Sequence, residues 1–208
     1  FYQNHNITSV TIENGIEEIG DKAFYNCTGL TKVIIPDSVT RIGSYAFGGY
    51  DGLIDVTIGN SVVYYGDYAF GECHNLTSVA LGNSVAHIEY SVFDNCDNLR
   101  AIHINDIAAW CSIEIPDPEY SNYNYSPDII LYGRDLYQNG ELVTNLAIPY
   151  GVKSIGIWAF CDCRNLIRVD IPDSMTYIGF AAFMDCDNLV NINIPDSVTR
   201  IAFWAFHG

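Results

Sequence analysis

Residues 35–57 read IPDSVTRIGSYAFGGYDGLIDVT, and residues 58–80 read IGNSVVYYGDYAFGECHNLTSVA. Aligned, the two segments place Val39 on Val62, Ala46 on Ala69, Phe47 on Phe70 and Leu53 on Leu76, a period of 23 residues. The same beat starts at Ile12 and Leu81, then again at Ile148, Ile171 and Ile194, and carries phenylalanines at 24, 47, 70, 93, 160, 183 and 206. A strict period in this range marks units that cannot bury an apolar face alone, so that neighbours must stack into a solenoid.

Within a unit the apolar positions recur as columns: Leu30, Leu53, Leu76, Leu99, Leu166 and Leu189 form one, and Ile42, Ile88, Ile155, Ile178 and Ile201 another. The stretch Leu30-x-x-Val33-x-Ile35-Pro36 alternates apolar and polar residues before a Pro-Asp turn, where proline removes a backbone donor, and it predicts a short strand. Its copies should stack as a parallel sheet with rungs ~4.8 Å apart. Val39 to Gly43 predicts a second short extended run with glycine at the corner. The segments Ser44 to Tyr50 and Asp67 to Cys73 change to i, i+3, i+4 spacing behind a capping residue, which predicts a short helical or 3₁₀ turn.

The string L-x-x-V-x-I-P-x-x-V-x-x-I-G-x-x-A-F-x-x-C-x-x-L resembles the BspA-like leucine-rich repeat family, also called the Treponema pallidum type. The match covers nearly all of 7–103 and 143–208, through the Ala-Phe pair, the cysteine three residues later and the Pro-Asp-Ser turn. The insert resembles a segment found between such arrays, through Asp106 to Cys111 and Asn139 to Val143. What the resemblance implies is a repeat solenoid: a right-handed β/α leucine-rich-repeat superhelix with short parallel strands and short helical or 3₁₀ turns. It also implies an extracellular or cell-surface bacterial protein engaged in adhesion and protein binding, with host or microbial proteins as partners. Tyr50 for Cys, Tyr65 for Ile and Val92 for Ala are its departures from the pattern.

One structural domain is expected over 1–208, with a first array at 1–103, an irregular insert at 104–147 and a second array at 148–208. The insert is two residues short of two units, so two irregular turns would let the second array resume on the same stack. Asn105-Asp106 predicts the cap of a short helix through Trp110, and Asn139-Gly140 predicts a tight hairpin. Neither end of the chain shows the polar cap that a terminal repeat needs, so further sequence is expected to flank it.

With 9 basic against 25 acidic residues, the formal charge of −16 opposes binding to phosphate backbones and anionic membranes. No apolar run approaches the ~20 residues that span a bilayer, so direct membrane insertion is not expected. Five cysteines, at 27, 73, 96, 163 and 186, share one position in the unit and read as buried free thiols in a core column. No zinc-like ligand spacing appears. The turn column Asn14, Asp37, Asn60, Asn83, Asp173 and Asp196 is explained by turn chemistry without calcium, and the histidines fall at unrelated positions, so no cofactor, metal or catalytic residue is expected.

Binding residues are therefore sought where the repeats differ. The outward positions of the first strand include Lys32, Asp55, Arg100 and His103, then Arg168, Asp170 and Asn191; they read either as a specialised surface or as a solvated sheet face. Ahead of Ala-Phe, the second array has Ile157-Trp158, Phe180-Ala181 and Phe203-Trp204 where the first has Asp21-Lys22, Ser44-Tyr45 and Asp67-Tyr68. That apolar stripe either tucks into the core or forms an edge for a partner, with self-association through Trp158 and Trp204 as one outcome. Tyr120, Tyr123 and Tyr125 are loop tyrosines that either contact a ligand or cover the broken seam. A non-catalytic interaction module is the leading expectation; a structural spacer and a glycan-binding module are its rivals.

Overall fold

The computed structural model describes residues 1–49, 51–115 and 130–208. It is a β-solenoid of about eight turns with a 23-residue rise from rung to rung. The strands Val10–Thr11, Lys32–Ile35, Asp55–Ile58, Ser78–Ala80, Ala101–Ile104 and Asp135–Gln138 lie parallel in one long sheet, which the antiparallel strand Glu141–Leu142 closes. Register follows the repeat: Val33 sits beside Val10 and Val56, and Val79 beside Ile102. Alternation decides which side is buried, since Val33 and Ile35 face the core while Lys32 and Ile34 face solvent.

A second side of the solenoid carries the short strands Glu18–Ile19, Arg41–Ile42, Tyr64–Tyr65 and His87–Ile88. Glycine follows the first three of these runs and Glu89 the fourth; at Gly43 and Gly66 the corner passes very close to the rung before it. A Cβ at Gly66 would lie 2.6 Å from the Ser44 nitrogen, and one at Gly179 would lie 2.6 Å from the Ile155 oxygen. The second array repeats both sides, with Asn145–Ala147, Arg168–Asp170 and Asn191–Asn193 on one and Ser154–Ile155, Tyr177–Ile178 and Arg200–Ile201 on the other.

The third side is where a helical or 3₁₀ turn was expected, and it is realised as consecutive i→i+3 turns. Ala46 N donates to Gly43 O and Gly48 N to Tyr45 O. The residue before Ala-Phe has a positive φ of 50–60° in Lys22, Tyr45, Tyr68, Ser91, Trp158, Ala181 and Trp204, which stops any helix from propagating. The strain is offset by rung-to-rung bonds, for the same residue donates its N–H to the next rung, as Tyr45 does to Asp67 O at 2.8 Å and Trp158 to Phe180 O at 3.0 Å.

Behind these turns the phenylalanines stack with centroids 5.2–5.6 Å apart and nearly parallel planes, from Phe24 to Phe93 and from Phe160 to Phe206. Phe1 adds one more ring at the start of the column. Cys73, Cys96 and Cys186 each donate an Sγ–H to the carbonyl of the phenylalanine one rung back, at 3.1–3.2 Å. The cysteines are free, and burial pushes the Cys186 thiol up to about 12.

The insert forms one rung of the short-strand side, where two irregular turns were expected. Ile88 N donates to Glu114 O, Glu114 N donates to Ala86 O, and Gly156 N donates to Cys111 O, so 111–114 bridges the two arrays. Asp135–Gln138 adds the next rung of the long sheet beside Ala101–Ile104 and then turns back through a hairpin whose Asn139 and Gly140 both have positive φ. The helix Ile107–Cys111 is capped by Asp106 Oδ1, which accepts from Ala108 N and Ala109 N.

Two side chains supply what the missing repeat residues would. In ordinary rungs a phenylalanine N–H donates to the alanine carbonyl of the next rung, as Phe47 does to Ala69. Ala159 instead receives the indole N–H of the buried Trp110 at 2.7 Å. Phe93 O, which would ordinarily accept a thiol, receives Arg134 Nη2 at 2.9 Å. One continuous apolar core therefore runs through both arrays.

Candidate functional site

The long sheet turns a varied, exposed face to solvent. Lys32 and Asp55 stand on adjacent rungs with an ion pair at 2.6 Å, both more than half exposed. Such a pair contributes at most ~1 kcal/mol, so its weight is in the pattern of charge it presents. Arg100 donates to Asp97 O and Leu99 O, which ties its guanidinium back to the chain. His103 is half-buried and stacks on Tyr137 at 4.8 Å.

On the second array Arg168 grips Asp170 through Nε and Nη2 at 2.9 and 2.6 Å. Together with Asn191 and Asn193 they line a shallow depression of about 180 Å³. Exposed apolar side chains, Ile34, Ile54, Ile167 and Val190, flank these polar columns. The structure thus places Lys32 with Asp55, and Arg168 with Asp170 and Asn191, while the hairpin separates the two groups.

The apolar stripe of the second array divides. Trp158, read as a candidate edge residue, is only 5% exposed and packs with Cys161 and Ala181 in a small satellite cluster bordered by Ile157, Phe180 and Met184. Its neighbour on the next rung is the small Ala181, which leaves room for the indole to fold inward. Trp204 is 47% exposed and groups with Phe203, Phe180 and His207. The stripe is therefore not a continuous Trp158/Trp204 edge: Trp158 is buried, and the exposed aromatic group lies on the last two rungs. Tyr120, Tyr123 and Tyr125 lie outside the described residues.

Two ladders escaped the sequence reading. On the third side Tyr2 stacks on Tyr25, Tyr25 meets Tyr45 edge-on, and Tyr45 stacks on Tyr68. On the short-strand side Glu18, Arg41, Tyr64, His87 and Glu114 form a column: Arg41 bonds Glu18 and lies 3.9 Å over Tyr64, which stacks on His87. Tyr64 Oη donates to Glu89, and burial with that carboxylate raises its pKa. The signal was present, since the first four of these residues are spaced at the repeat period, but only inward-facing columns identify themselves by chemical likeness. The turn ladder is tied by backbone and amide bonds, with Asn60 N donating to Asp37 Oδ1 and Asn105 Nδ2 to Asn83 Oδ1.

Stacked parallel rungs, a thiol-lined phenylalanine spine and an exposed strand face define a leucine-rich-repeat solenoid. More narrowly, the chain belongs to the BspA-type leucine-rich repeat region family, whose pattern it matches in six copies over residues 1–112 and 132–208. No curated protein matches the chain. Among solved structures, a leucine-rich cell surface protein of Faecalibacterium prausnitzii is 21% identical, with a TM-score of 0.47 over 79% of this chain and 32% of that one. A leucine-rich repeat protein of Bacteroides ovatus is 19% identical with a TM-score of 0.42, covering 91% of this chain and 67% of that one. The T. pallidum leucine-rich repeat protein is 22% identical with a TM-score of 0.40, covering 91% and 71%. This chain thus spans about a third of the length of the Faecalibacterium structure. Among the described residues no helix is long and apolar enough to cross a membrane.

Proposed function

We propose that this chain is a non-catalytic protein-interaction and adhesion module of a bacterial cell-surface or secreted protein, and that it binds through the open face of its strands. The observation that carries the reading is the contrast between the two faces of one sheet. Inward positions repeat valine and isoleucine from rung to rung, whereas outward positions run Lys32, Asp55, Ser78, Ala101, then Arg168 and Asn191. A rigid scaffold with variable outward columns gives a partner a preorganised surface and spares it the entropy of ordering loops. Ile34, Ile54, Ile167 and Val190 supply apolar area among the charges, a mixture like that of non-obligate protein interfaces taken as a whole.

The test is saturable binding to immobilised host extracellular-matrix proteins and to surface extracts of co-resident bacteria. The double variants Lys32→Glu/Ile54→Ser and Arg168→Glu/Val190→Ser should each weaken binding, and Thr199→Ala on the short-strand side should not. Absence of saturable binding to either source, or equal binding by the variants, would refute the reading.

A further inference from the structure

The corner where strand passes into turn is closely packed through the first array. A Cβ at Gly59 would meet Pro36 at 2.6 Å, and one at Gly82 would meet the Gly59 oxygen at 2.3 Å. At the insert this packing opens. Gln138 stands beside Ile104 on the last parallel rung of the long sheet, the chain turns back there through the hairpin, and a cleft of about 360 Å³ lies between this rung and Pro149 of the second array. Its walls are Asn83, Asn105, Asp106, Ile107, Gln138 and Pro149.

The chemistry of that lining is narrow. It holds three carboxamides, one carboxylate, two apolar side chains and no cation. Asp106 spends Oδ1 on the helix cap and Asn105 donates to Asn83 Oδ1 at 3.0 Å. That leaves the Asn83 amide, the Asn105 carbonyl oxygen, the Gln138 carboxamide and Asp106 Oδ2 without a partner among the described residues. A carboxamide offers a donor and an acceptor on one rigid plane, which matches a pair of neighbouring hydroxyls. The exposed Pro149 offers apolar contact to the C–H face of a ring, while Ile107 closes the floor from the core. The volume falls within the ~300–1,000 Å³ of small-ligand sites. An anion would find no cation here and would meet Asp106 within a chain of formal charge −16.

We infer that this cleft is a binding site for a neutral sugar residue, held by Asn83, Asn105 and Gln138 with Pro149 against the ring. It is separate from the open strand face and does not rest on the protein-binding reading. The openness of the cleft and the few contacts available make binding weak, so affinity would be gained by repetition along a glycan.

Saturation-transfer NMR and titration of amide shifts in the intact chain, with methyl glucoside, galactoside, mannoside and N-acetylglucosaminide in EDTA, should show at least one binder. Shifts should centre on residues 83, 105–107 and 138. Asn83→Ala and Gln138→Ala should each weaken that binder by at least about tenfold, the value of one lost hydrogen bond of ~1.4 kcal/mol. Their thermal midpoints should match the parent, and Asn83→Asp, which keeps the shape and removes the amide donor, should behave alike. Lys32→Ala on the open face should bind the sugar as the parent does. Lack of binding by every neutral probe, preference for sialic or uronic acids, loss of binding in EDTA, or unchanged affinity in the variants would each overturn the inference.

Discussion

Replacing Trp110 with phenylalanine should separate the unfolding of the two arrays. Trp110 is 1% exposed, and its Nε1 donates to Ala159 O at 2.7 Å across the joint between the insert rung and the second array. Phenylalanine keeps an aromatic ring there but removes the donor, leaving a buried carbonyl unpaired at a cost of roughly 1–3 kcal/mol. The smaller ring leaves a cavity worth on the order of 1 kcal/mol at about 24 cal/mol per Å³. The joint should thus weaken by ~2–4 kcal/mol, and with a urea slope of ~2–3 kcal/mol/M the second array's midpoint should fall on the order of 1 M. The readout is built into the chain, which has 3 tryptophans, the other two at 158 and 204. In Trp110→Phe, fluorescence reports the second array alone while far-ultraviolet circular dichroism reports every rung. Parent transitions should coincide by both probes, and the variant's fluorescence transition should precede its dichroism transition. Coincident transitions in the variant, with a midpoint shift equivalent to less than ~0.5 kcal/mol, would refute the view that Trp110 couples the arrays.

Phe70→Ala, at a fully buried ring stacked on both sides, should cost ~3–5 kcal/mol in urea unfolding; a loss below ~1 kcal/mol would show that the spine is not a main source of stability. The thiols should be silent to an aromatic disulfide reagent in the native state at pH 8, because burial pushes Cys111 and Cys186 up to about 12 and Cys163 higher still; rapid stoichiometric labelling without denaturant would contradict this. Asp67 has its pKa raised above the ordinary 3.8 by burial and then by Glu89. The folded state therefore holds that proton to higher pH than the unfolded state, and stability from this group is lost as pH rises through the folded pKa. Asp67→Asn, which can still accept the backbone bond from Tyr90, should melt higher than the parent at pH 7 and equally at pH 3; a gain of the same size at both pH values would assign the effect to something other than charge.

The repeat was legible because its cause is local and reiterated. Leu53, Val56 and Ile58 sit at spacings that only a short strand with one buried face satisfies, and each recurs a fixed distance on. The outward positions of the strands followed from the same alternation, which is why Lys32, Asp55, Arg168 and Asn191 stand on the face assigned to them. The helix capped by Asp106 and the Asn139-Gly140 hairpin were legible for a similar reason, each being fixed by the chemistry of a few adjacent residues.

Other features depended on neighbours distant in sequence. Whether Trp158 faces solvent was decided by the space above Ala181 on the next rung, and nothing in the residues around 158 records that space. Backbone conformation two residues before each phenylalanine was decided by hydrogen bonds to the following rung, which hold seven non-glycine residues at positive φ against their own preference and give the expected helical or 3₁₀ turn the form of linked i→i+3 turns.

By itself, then, the sequence determined the period, the buried columns, the parallel register and the sense of each strand's faces, since these are set by side-chain alternation and stacking of like on like. Only the tertiary structure decided how the two arrays are joined. Trp110 and Arg134 belong to no column, and their role exists only where a carbonyl from another rung, Ala159 O or Phe93 O, comes within reach. The amide-lined cleft has the same origin. It is the volume left where a regular stack meets an irregular turn, and a volume of that kind is a property of packing that no single stretch of chain encodes.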